Sequence, residues 1–303
     1  MSRPPMITVF AGKGGVGKTT CAAATALHYA STGRRTLVIS TDPTPSLADI
    51  FELDGNRKSA RVNDCLYIHE LGLDEIKQMW DTRFGHEVYE VFSSFVAIGY
   101  PEFVDFMTSL LPGLGDELMV DFIRELSGSD DRDIIIWDTA PLGQTLTLLE
   151  TPAMLRQHLR MAPRIYSRLK VGPRSRKPVL EILKRWERLS AENMDFLRRD
   201  VSFCVVTIAE ALAVNQLKGV FAEMDRYGLK PRQFIVNNLV RTDGSAFLAS
   251  RAEQQQHYLK AILEIVSGLP VIEVPMFPRE IKGLDRLDEF RTCLFPTGES
   301  ATR

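Results

Sequence analysis

A glycine-rich stretch near the start of the chain has the residue types and spacing of a loop that binds nucleotide phosphates. It fills the pattern G-x-x-x-x-G-K-[ST] and directly follows an apolar run, Met6 to Phe10. Glycines let backbone amides turn toward phosphates, the following helix directs its positive end at them, and a threonine hydroxyl can ligate Mg²⁺. A glycine-rich turn without a ligand is the alternative, but such a turn needs no lysine at its end. The predicted phosphate-binding residues are Gly12, Gly14, Gly15, Val16, Gly17, Lys18, Thr19 and Thr20, with Thr19 as the Mg²⁺ ligand.

A second lysine, Lys13, lies near the start of the same loop. Because Lys18 can already neutralise the β and γ phosphates, we expect Lys13 to point outward, toward the nucleotide of a facing subunit. A cation supplied in this way would stabilise charge on the transferred phosphoryl group, as an arginine finger does. On this interpretation Lys13 is catalytic and the active unit is a dimer. An exposed, solvated lysine is the alternative.

Composition and charge exclude several classes of protein. The 303 residues are 45% hydrophobic and 25% charged, which is typical of a soluble globular protein. The net charge of -2 favours neither nucleic acid nor anionic membrane, so no nucleic-acid partner is expected. No signal-peptide pattern or membrane-spanning run is present, and a cytoplasmic location is expected. The four cysteines form no Cys-x-x-Cys pair, so no zinc site is predicted.

Short β-branched runs alternate along the chain with longer helical stretches. This alternation predicts an α/β fold, a doubly wound and mostly parallel sheet covered by helices on both faces. We expect one domain over residues 1–303, with helical segments inserted at about 74–130 and 151–199. The predicted strands are Ile7 to Phe10, Thr36 to Ser40, Leu66 to Glu70, Ile134 to Trp137, Phe203 to Ile208, Phe234 to Val236 and Val271 to Val274.

Polar residues follow several of these predicted strands, at the sheet edge where parallel folds bind ligands. Asp138 comes after an apolar strand and is a candidate to bind Mg²⁺ through water. Asp42 follows the second predicted strand and is placed to orient a water molecule toward the γ-phosphate and, like Asp138, to hold Mg²⁺ through water. Helix capping is the alternative role for either aspartate. Gly143 would let the segment after Asp138 rearrange, as a sensor of the γ-phosphate must.

Five segments together resemble the ATPase family that includes the arsenite-pump ATPase and the tail-anchored-protein targeting ATPase, P-loop ATPases with a deviant Walker A motif. The similarity extends through nearly the whole chain, and the combination is more specific than the loop alone, which partitioning ATPases share. The segments are Gly12 to Thr20, Ser40 to Asp49, Asp138 to Leu146, Ile235 to Asn237 and Pro275 to Gly283.

The resemblance implies roles for individual residues. Lys13 would be the signature lysine that contacts the partner's nucleotide, and Asp42 the catalytic aspartate of the first switch. Asp138 and Gly143 would belong to the second switch. The implied contacts of adenine or nucleotide are Asn237 at the adenine edge, Pro275, Phe277 and Glu280 in a loop that closes over the base, and Glu210 across the dimer. The family also implies ATP, Mg²⁺ and a homodimer.

This chain departs from the family pattern at several positions. Thr44 to Ser46 replace the usual Ala-His-Asn of the first switch, and Leu142 and Gln144 replace Thr and His in the second. The Cys-x-x-Cys that targeting members carry after the adenine-reading Asn is missing, and no cysteine lies between Cys65 and Cys204.

Two segments between the motifs are candidates for handling a client protein. Residues 88–126 are dense in large apolar side chains, and a stripe from Leu118 to Leu126 follows helical spacing. Such a surface could bind a transmembrane segment, although ordinary core packing is the alternative. Residues 151–199 begin with basic side chains, which could meet a membrane receptor, anionic headgroups or the charged flanks of a client. A solvated helix face is the alternative there.

These expectations lead to a hypothesis of function. The chain is expected to be a cytosolic dimeric ATPase that opens and closes a hydrophobic groove for tail-anchored membrane proteins. The ATPase subunit of an arsenite or oxyanion pump is the first alternative, which the absence of cysteines from the helical region disfavours. A dimeric electron donor that bridges an iron–sulfur cluster is the second, but no convincing pair of thiolates is present.

Overall fold

The computed structural model describes residues 6–42, 46–53, 58–93, 97–110, 114–129, 131–139, 173–241 and 244–296. The chain divides into two compact units. The sheet unit comprises Met1–Leu71, Ser127–Gln144 and Asp200–Arg303, and the helical unit comprises Gly72–Leu126 and Thr145–Arg199. No helix among the described residues is both long enough and apolar enough to cross a membrane.

The described residues of the sheet unit form eight strands. They are β1 (Met6–Gly12), β2 (Thr36–Ser40), β3 (Ser59–Arg61), β4 (Leu66–Glu70), β5 (Ile134–Asp138), β6 (Val201–Ile208), β7 (Pro231–Leu239) and β8 (Val271–Pro275). Their order in the sheet is β3-β4-β2-β5-β1-β6-β7-β8. Every neighbouring pair is parallel except β3 with β4. The predicted fold class, a doubly wound and mostly parallel sheet, is confirmed.

The central strands are apolar because both of their faces are covered. All five residues of β2 and all five of β5 are buried, which is the pattern of a parallel sheet between two layers. The register aligns Asp138 with Phe10 on one side and with Ser40 on the other. The carboxyl ends of β1, β2 and β5 therefore lie side by side.

Five helices are found among the described residues of the sheet unit. They are α1 (Lys18–Ser31) and α2 (Leu47–Ile50) and, after the five described helices of the helical unit in chain order, α8 (Ala211–Arg226), α9 (Ala246–Ile265) and α10 (Leu284–Leu294). The buried face of α1 contains all five alanines of the helix, each at most 7% exposed. Small side chains let a helix lie close to its neighbours, which holds the start of α1 firmly at the end of β1.

The helical unit contains α3 (Leu73–Trp80), a π-helical turn (Asp81–Gly85), α4 (His86–Phe92), α5 (Tyr100–Leu110), α6 (Leu114–Ser127) and α7 (Pro173–Arg199). Trp80 and Phe103 are fully buried, and their ring centroids are 5.8 Å apart. Leu118 and Ile123 of the predicted apolar stripe are also buried, whereas Phe106 is 39% exposed. Part of the stripe therefore serves as core, and a groove for a client stays a prediction.

Each of the seven predicted runs lies in an observed strand, and five of these strands are longer than predicted. β3 was not predicted, because its three residues are polar or small and lie at the sheet edge. β7 continues through Leu239, so Asn237 lies within the strand rather than after it, where it pairs with Ile208.

Candidate nucleotide-binding site

The phosphate-binding loop joins β1 to α1 and depends on three of its glycines. Gly15 and Gly17 have φ angles of +77° and +93°, which side chains rarely tolerate. A Cβ atom on Gly12 would lie 2.2 Å from the carbonyl oxygen of Val206 on β6. The loop conformation therefore requires glycine at each of these positions.

Lys18 occupies the start of α1, and its side chain folds back over the loop. Its Nζ donates a hydrogen bond of 3.1 Å to the carbonyl oxygen of Lys13, and the residue is 6% exposed. Burial lowers the pKa of Lys18, while the carboxylates of Asp138 and Asp42 oppose that shift. The ammonium group is thus held inside the loop, where phosphate oxygens would lie.

Asp138 is fully buried at the end of β5 and connects three elements. The hydroxyl of Thr19, on α1, donates a hydrogen bond of 2.8 Å to Asp138 Oδ2, and Ser40 Oγ, on β2, donates to the same oxygen at 3.4 Å. Burial raises the pKa of Asp138 to about 6, against the opposing effects of the Thr19 hydroxyl and the Lys18 ammonium group. Its second oxygen, Oδ1, is buried and has no hydrogen-bond partner among the described residues.

Asp42 lies two residues beyond the end of β2, in the neighbourhood of Lys18. Its backbone amide donates to Ser40 Oγ at 3.3 Å, and the adjacent Thr41 accepts a hydrogen bond of 2.9 Å from Trp137 Nε1. These contacts fix the chain just before Asp42. At the start of α2 the amide of Ala48 donates to Glu70 at 3.0 Å.

Asn237 faces the phosphate loop from β7. Its Nδ2 donates a hydrogen bond of 3.0 Å to the carbonyl oxygen of Val16, and its Oδ1 is buried without a partner in the described part of the chain. A Cβ atom on Gly17 would lie 2.3 Å from Asn237 Nδ2. The glycine therefore makes room for the carboxamide of Asn237, in addition to permitting the turn.

A cavity of about 620 Å³ opens beside the loop, within the sheet unit. This volume is in the range usual for small-molecule sites. The segment from Phe277 to Lys282 forms one wall, and the amide of Gly283 ties its end to Ile50 O of α2 at 2.9 Å. The lining residues are Gly15, Gly17, Thr19, Thr20, Ser46, Asp49, Ile50, Asn237, Asn238, Phe277 to Lys282 and Phe290.

The remaining predicted site residues are distributed as follows. Lys13 and Gly14 are exposed on the loop, and Pro275 is the last residue of β8. Glu210 precedes α8 and forms an ion pair with Arg251 at 2.5 Å. Neither Lys13 nor Glu210 lines the cavity. Gly143 lies outside the described residues, as do Leu142 and Gln144.

Three supporting residues were not predicted from the sequence. Ser40 reaches Asp138, Glu70 holds the start of α2, and Gln255 contacts the end of β7. Ser40 and Glu70 could have been found, since each is the last residue of a predicted strand. Gln255 lies in a polar run of α9 and has no distinguishing signal in the sequence.

The donor set suits Mg²⁺. Magnesium prefers oxygen ligands and usually takes only one or two from protein, with waters and phosphates completing its shell. The Thr19 hydroxyl donates to Asp138 and accepts a long hydrogen bond of 3.5 Å from Ser46, which leaves it one lone pair, and Asp138 Oδ1 has no partner among the described residues. A richer cluster of His, Cys, Asp or Glu that could hold a metal is not found among the described residues.

Comparison with known proteins identifies the family. The model of the anion-transporting ATPase family matches residues 6–296. A protein of Aquifex aeolicus, provisionally named arsenical pump-driving ATPase 1, is 25% identical over 95% of this chain and 78% of its own. A protein of Chlorobaculum tepidum, provisionally named arsenical pump-driving ATPase, is 29% identical over 94% of this chain and 74% of its own.

A third relative has a different name. The ATPase get3 of Aspergillus terreus is 26% identical over 93% of this chain and 88% of its own. The relatives thus carry two kinds of name, yet all three are called ATPases. With its phosphate-binding loop and adjoining cavity, the chain belongs to the anion-transporting ATPase family and is an ATP hydrolase.

Proposed function

We propose that this ATPase hydrolyses Mg·ATP as a cytoplasmic homodimer and uses the cycle to bind and release tail-anchored membrane proteins. The observation that carries the catalytic part is the contact between Thr19 and Asp138, 119 residues apart, beside which Asp138 Oδ1 has no partner in the described part of the chain. Thr19 would ligate Mg²⁺ directly, and Asp42 and Asp138 would hold its water ligands. The bound metal would neutralise phosphate charge.

Adenine is the base that the site favours. Asn237 uses one N–H of its Nδ2 on Val16, and its buried acceptor Oδ1 has no partner among the described residues and is available to a ligand. Adenine offers an amino group at position 6, whereas guanine offers a carbonyl oxygen there. An acceptor accordingly selects ATP over GTP. Phe277 and Glu280, which line the cavity, would cover the base.

Asp42 is proposed to orient the attacking water. Its position just past β2, with the backbone held by Ser40, brings a carboxylate close enough to Lys18 to influence that residue's pKa. A carboxylate this close to Lys18 of the phosphate loop can accept a proton from water aligned with the γ-phosphate. Gly143 would belong to the segment that responds to the γ-phosphate.

Dimerisation is supported by the exposure of Lys13. Its carbonyl oxygen holds Lys18, while its own side chain is exposed and does not line the cavity of the same subunit. A role in trans fits this arrangement, with Lys13 reaching the partner's phosphates. Glu210, also outside the cavity, would approach nucleotide across the same interface.

A transmembrane segment is the proposed client. Similarity to ATPase get3 and the apolar residues of the helical unit, among them the partly exposed Phe106, support this choice. A membrane receptor would then receive the client. The second candidate, an ATPase that drives an arsenical pump, is favoured by the names of two relatives. No cysteine lies between Cys65 and Cys204 to hold a metalloid in the helical unit.

Turnover assays separate the two candidates. The purified protein should bind a peptide with the sequence character of a tail anchor and keep it dispersed, with ATP controlling release. Asp42→Asn protein should bind ATP normally, lose turnover and retain the client. Exposed Asp64→Asn is the matched control. Acceleration of ATP turnover by arsenite or antimonite, without peptide binding, would establish the pump candidate instead.

A further inference from the structure

Gln255 is a buried polar residue on α9 that makes two hydrogen bonds to the end of β7. Its Oε1 accepts from the backbone amide of Val240 at 2.7 Å, and its Nε2 donates to the carbonyl oxygen of Asn238 at 3.0 Å. The residue is 5% exposed. Both halves of the carboxamide are therefore used by one short stretch of backbone.

This stretch of β7 is irregular. The register between β7 and β8 shifts between Val236 and Leu239, and Asn238 has a φ angle of +58°. Asparagine adopts this left-handed conformation more readily than most residues, but other contacts must hold it there. On the side of β6, pairing ends with Ile208 opposite Asn237, because β6 itself ends at Ile208.

A glutamine side chain is well suited to continue such a ladder. Its carboxamide presents one N–H donor and one carbonyl acceptor in a plane, as a peptide group does. Gln255 thereby satisfies the N–H of Val240 and the C=O of Asn238, which flank Leu239. Without it the N–H of Val240, a half-buried residue, would lose its hydrogen-bond partner, and the exposed Asn238 would lose a contact that holds its backbone.

The irregular end of the strand determines where Asn237 points. Asn237 immediately precedes the left-handed residue, and its carboxamide is directed at Val16 of the phosphate loop and at the cavity. A change in the backbone at Asn238 would rotate or shift Asn237, and Asn237 Oδ1 would move with it. Gln255 does not line the cavity, so it acts on the ligand only through this backbone.

We propose that Gln255 is a positioning residue for base recognition, which clamps the end of β7 so that the Asn237 carboxamide presents its oxygen to the 6-amino group of adenine. The inference depends on the proposed reading of adenine by Asn237. On this proposal α9, through Gln255, contributes to nucleotide specificity in addition to the phosphate loop and the loop over the base.

Nucleotide binding to two variants tests this inference. Gln255→Met keeps the length and shape of the side chain but removes both hydrogen bonds. Gln255→Glu, studied at pH 8, keeps the acceptor for Val240 and loses the donor to Asn238. Kd is measured by calorimetry for the β,γ-imido analogues of ATP and GTP, with Mg²⁺ present. Neighbouring Gln256→Met, which alters an exposed side chain, is the matched control.

The expected result is a loss of base selectivity. Gln255→Met should raise the Kd of the ATP analogue about tenfold and leave the Kd of the GTP analogue within about twofold, since only the base contact is disturbed. Gln255→Glu should lower the selectivity by a smaller factor, and Gln256→Met should leave it unchanged. An unchanged ratio of the two Kd values in a folded Gln255 variant would overturn the inference.

Wild-type protein supplies an independent test. Hydrogen exchange at the Val240 amide should slow more when the ATP analogue binds than when the GTP analogue binds, at equal saturation. Equal protection by both analogues would contradict the inference even if the variants did not fold. A wild-type protein that binds both analogues equally would refute adenine reading by Asn237 itself, and would leave the proposed hydrolysis untouched.

Discussion

The hydroxyl of Thr19 donates a hydrogen bond of 2.8 Å to Oδ2 of Asp138, which joins the first turn of α1 to the last residue of β5. The contact makes the nucleotide site sensitive to both elements at once. A ligand that draws on the lone pairs of the hydroxyl must also affect the carboxylate. Thr19 is therefore the position at which metal binding and the end of β5 are coupled.

Substitution at Thr19 tests this coupling. Thr19→Val keeps the shape but removes the oxygen, so we expect Mg²⁺-dependent ATP turnover to fall by about 100-fold or more. Thr19→Ser should restore most of the activity, because the hydroxyl remains. Steady-state turnover as a function of Mg²⁺ concentration is the measurement. Exposed Thr32→Val should behave as wild type, and a fully active Thr19→Val would exclude this residue as a ligand.

Glycine at position 17 permits the contact between the loop and Asn237. In Gly17→Ala the new Cβ would lie 2.3 Å from Asn237 Nδ2, at a φ angle of +93°. We expect the Kd for ATP to rise at least about tenfold, because either the loop or the carboxamide must move. Binding of ATP, measured by calorimetry, is the test.

Gly33→Ala separates the two effects expected in Gly17→Ala, which are backbone strain at a positive φ and the clash of the new Cβ with Asn237. Gly33 also has a positive φ, +80°, but a Cβ there meets nothing within 4 Å. This variant should lose about 1 kcal/mol of stability and bind ATP normally. If Gly17→Ala also binds ATP normally, the close approach of Asn237 to the loop is not needed for binding.

The strands and the phosphate loop could be predicted from the sequence because their signals are local. An apolar run followed by the glycine pattern specifies β1, the loop and α1 without any distant residue. The position of Asp138 could also be predicted from the sequence, because the carboxyl ends of parallel strands lie at one edge of the sheet. Contacts between residues far apart in the sequence were harder to predict. The pairing of Asn237 with Val16 joins residues 221 positions apart, and only the order of strands brings them together.

Buried support residues were the least predictable. Gln255 has glutamine on both sides, and nothing in its spacing separates the buried residue from its exposed neighbours. Glu117 on α6 is a similar case, because an acidic residue in an amphipathic helix is normally solvated. Tertiary packing, rather than local sequence, decides which polar side chain is enclosed.

Lys13 provides the prediction about assembly. Lys13→Ala should weaken ATP-dependent dimerisation and slow turnover, because the cation offered to the partner's phosphates would be lost. Light scattering at several protein concentrations, with and without ATP, measures the association. Exposed Lys230→Ala is the control for the loss of one surface charge. A Lys13→Ala protein with unchanged association and turnover would assign Lys13 to the solvated surface.

Glu117 predicts how stability depends on pH. Its carboxylate is enclosed beside Ser190 of α7, and burial raises its pKa from 4.5 to about 7 despite the opposing hydrogen bond from Ser190. Below pH 4.5 the carboxyl group is protonated in the folded and the unfolded chain alike. As the pH rises toward 7, the unfolded chain releases this proton first, so the folded state loses about 3 kcal/mol of stability.

Glu117→Gln isolates this contribution, since glutamine keeps an acceptor for Ser190 and carries no charge. The variant should be more stable than wild type at pH 8 and similar to it at pH 4.5, when unfolding is followed by urea titration at each pH. Exposed Glu181→Gln, on α7, should leave the difference between the two pH values unchanged. If Glu117→Gln proves less stable than wild type at pH 8, the buried carboxylate is stabilised in its charged form, and its pKa is not raised.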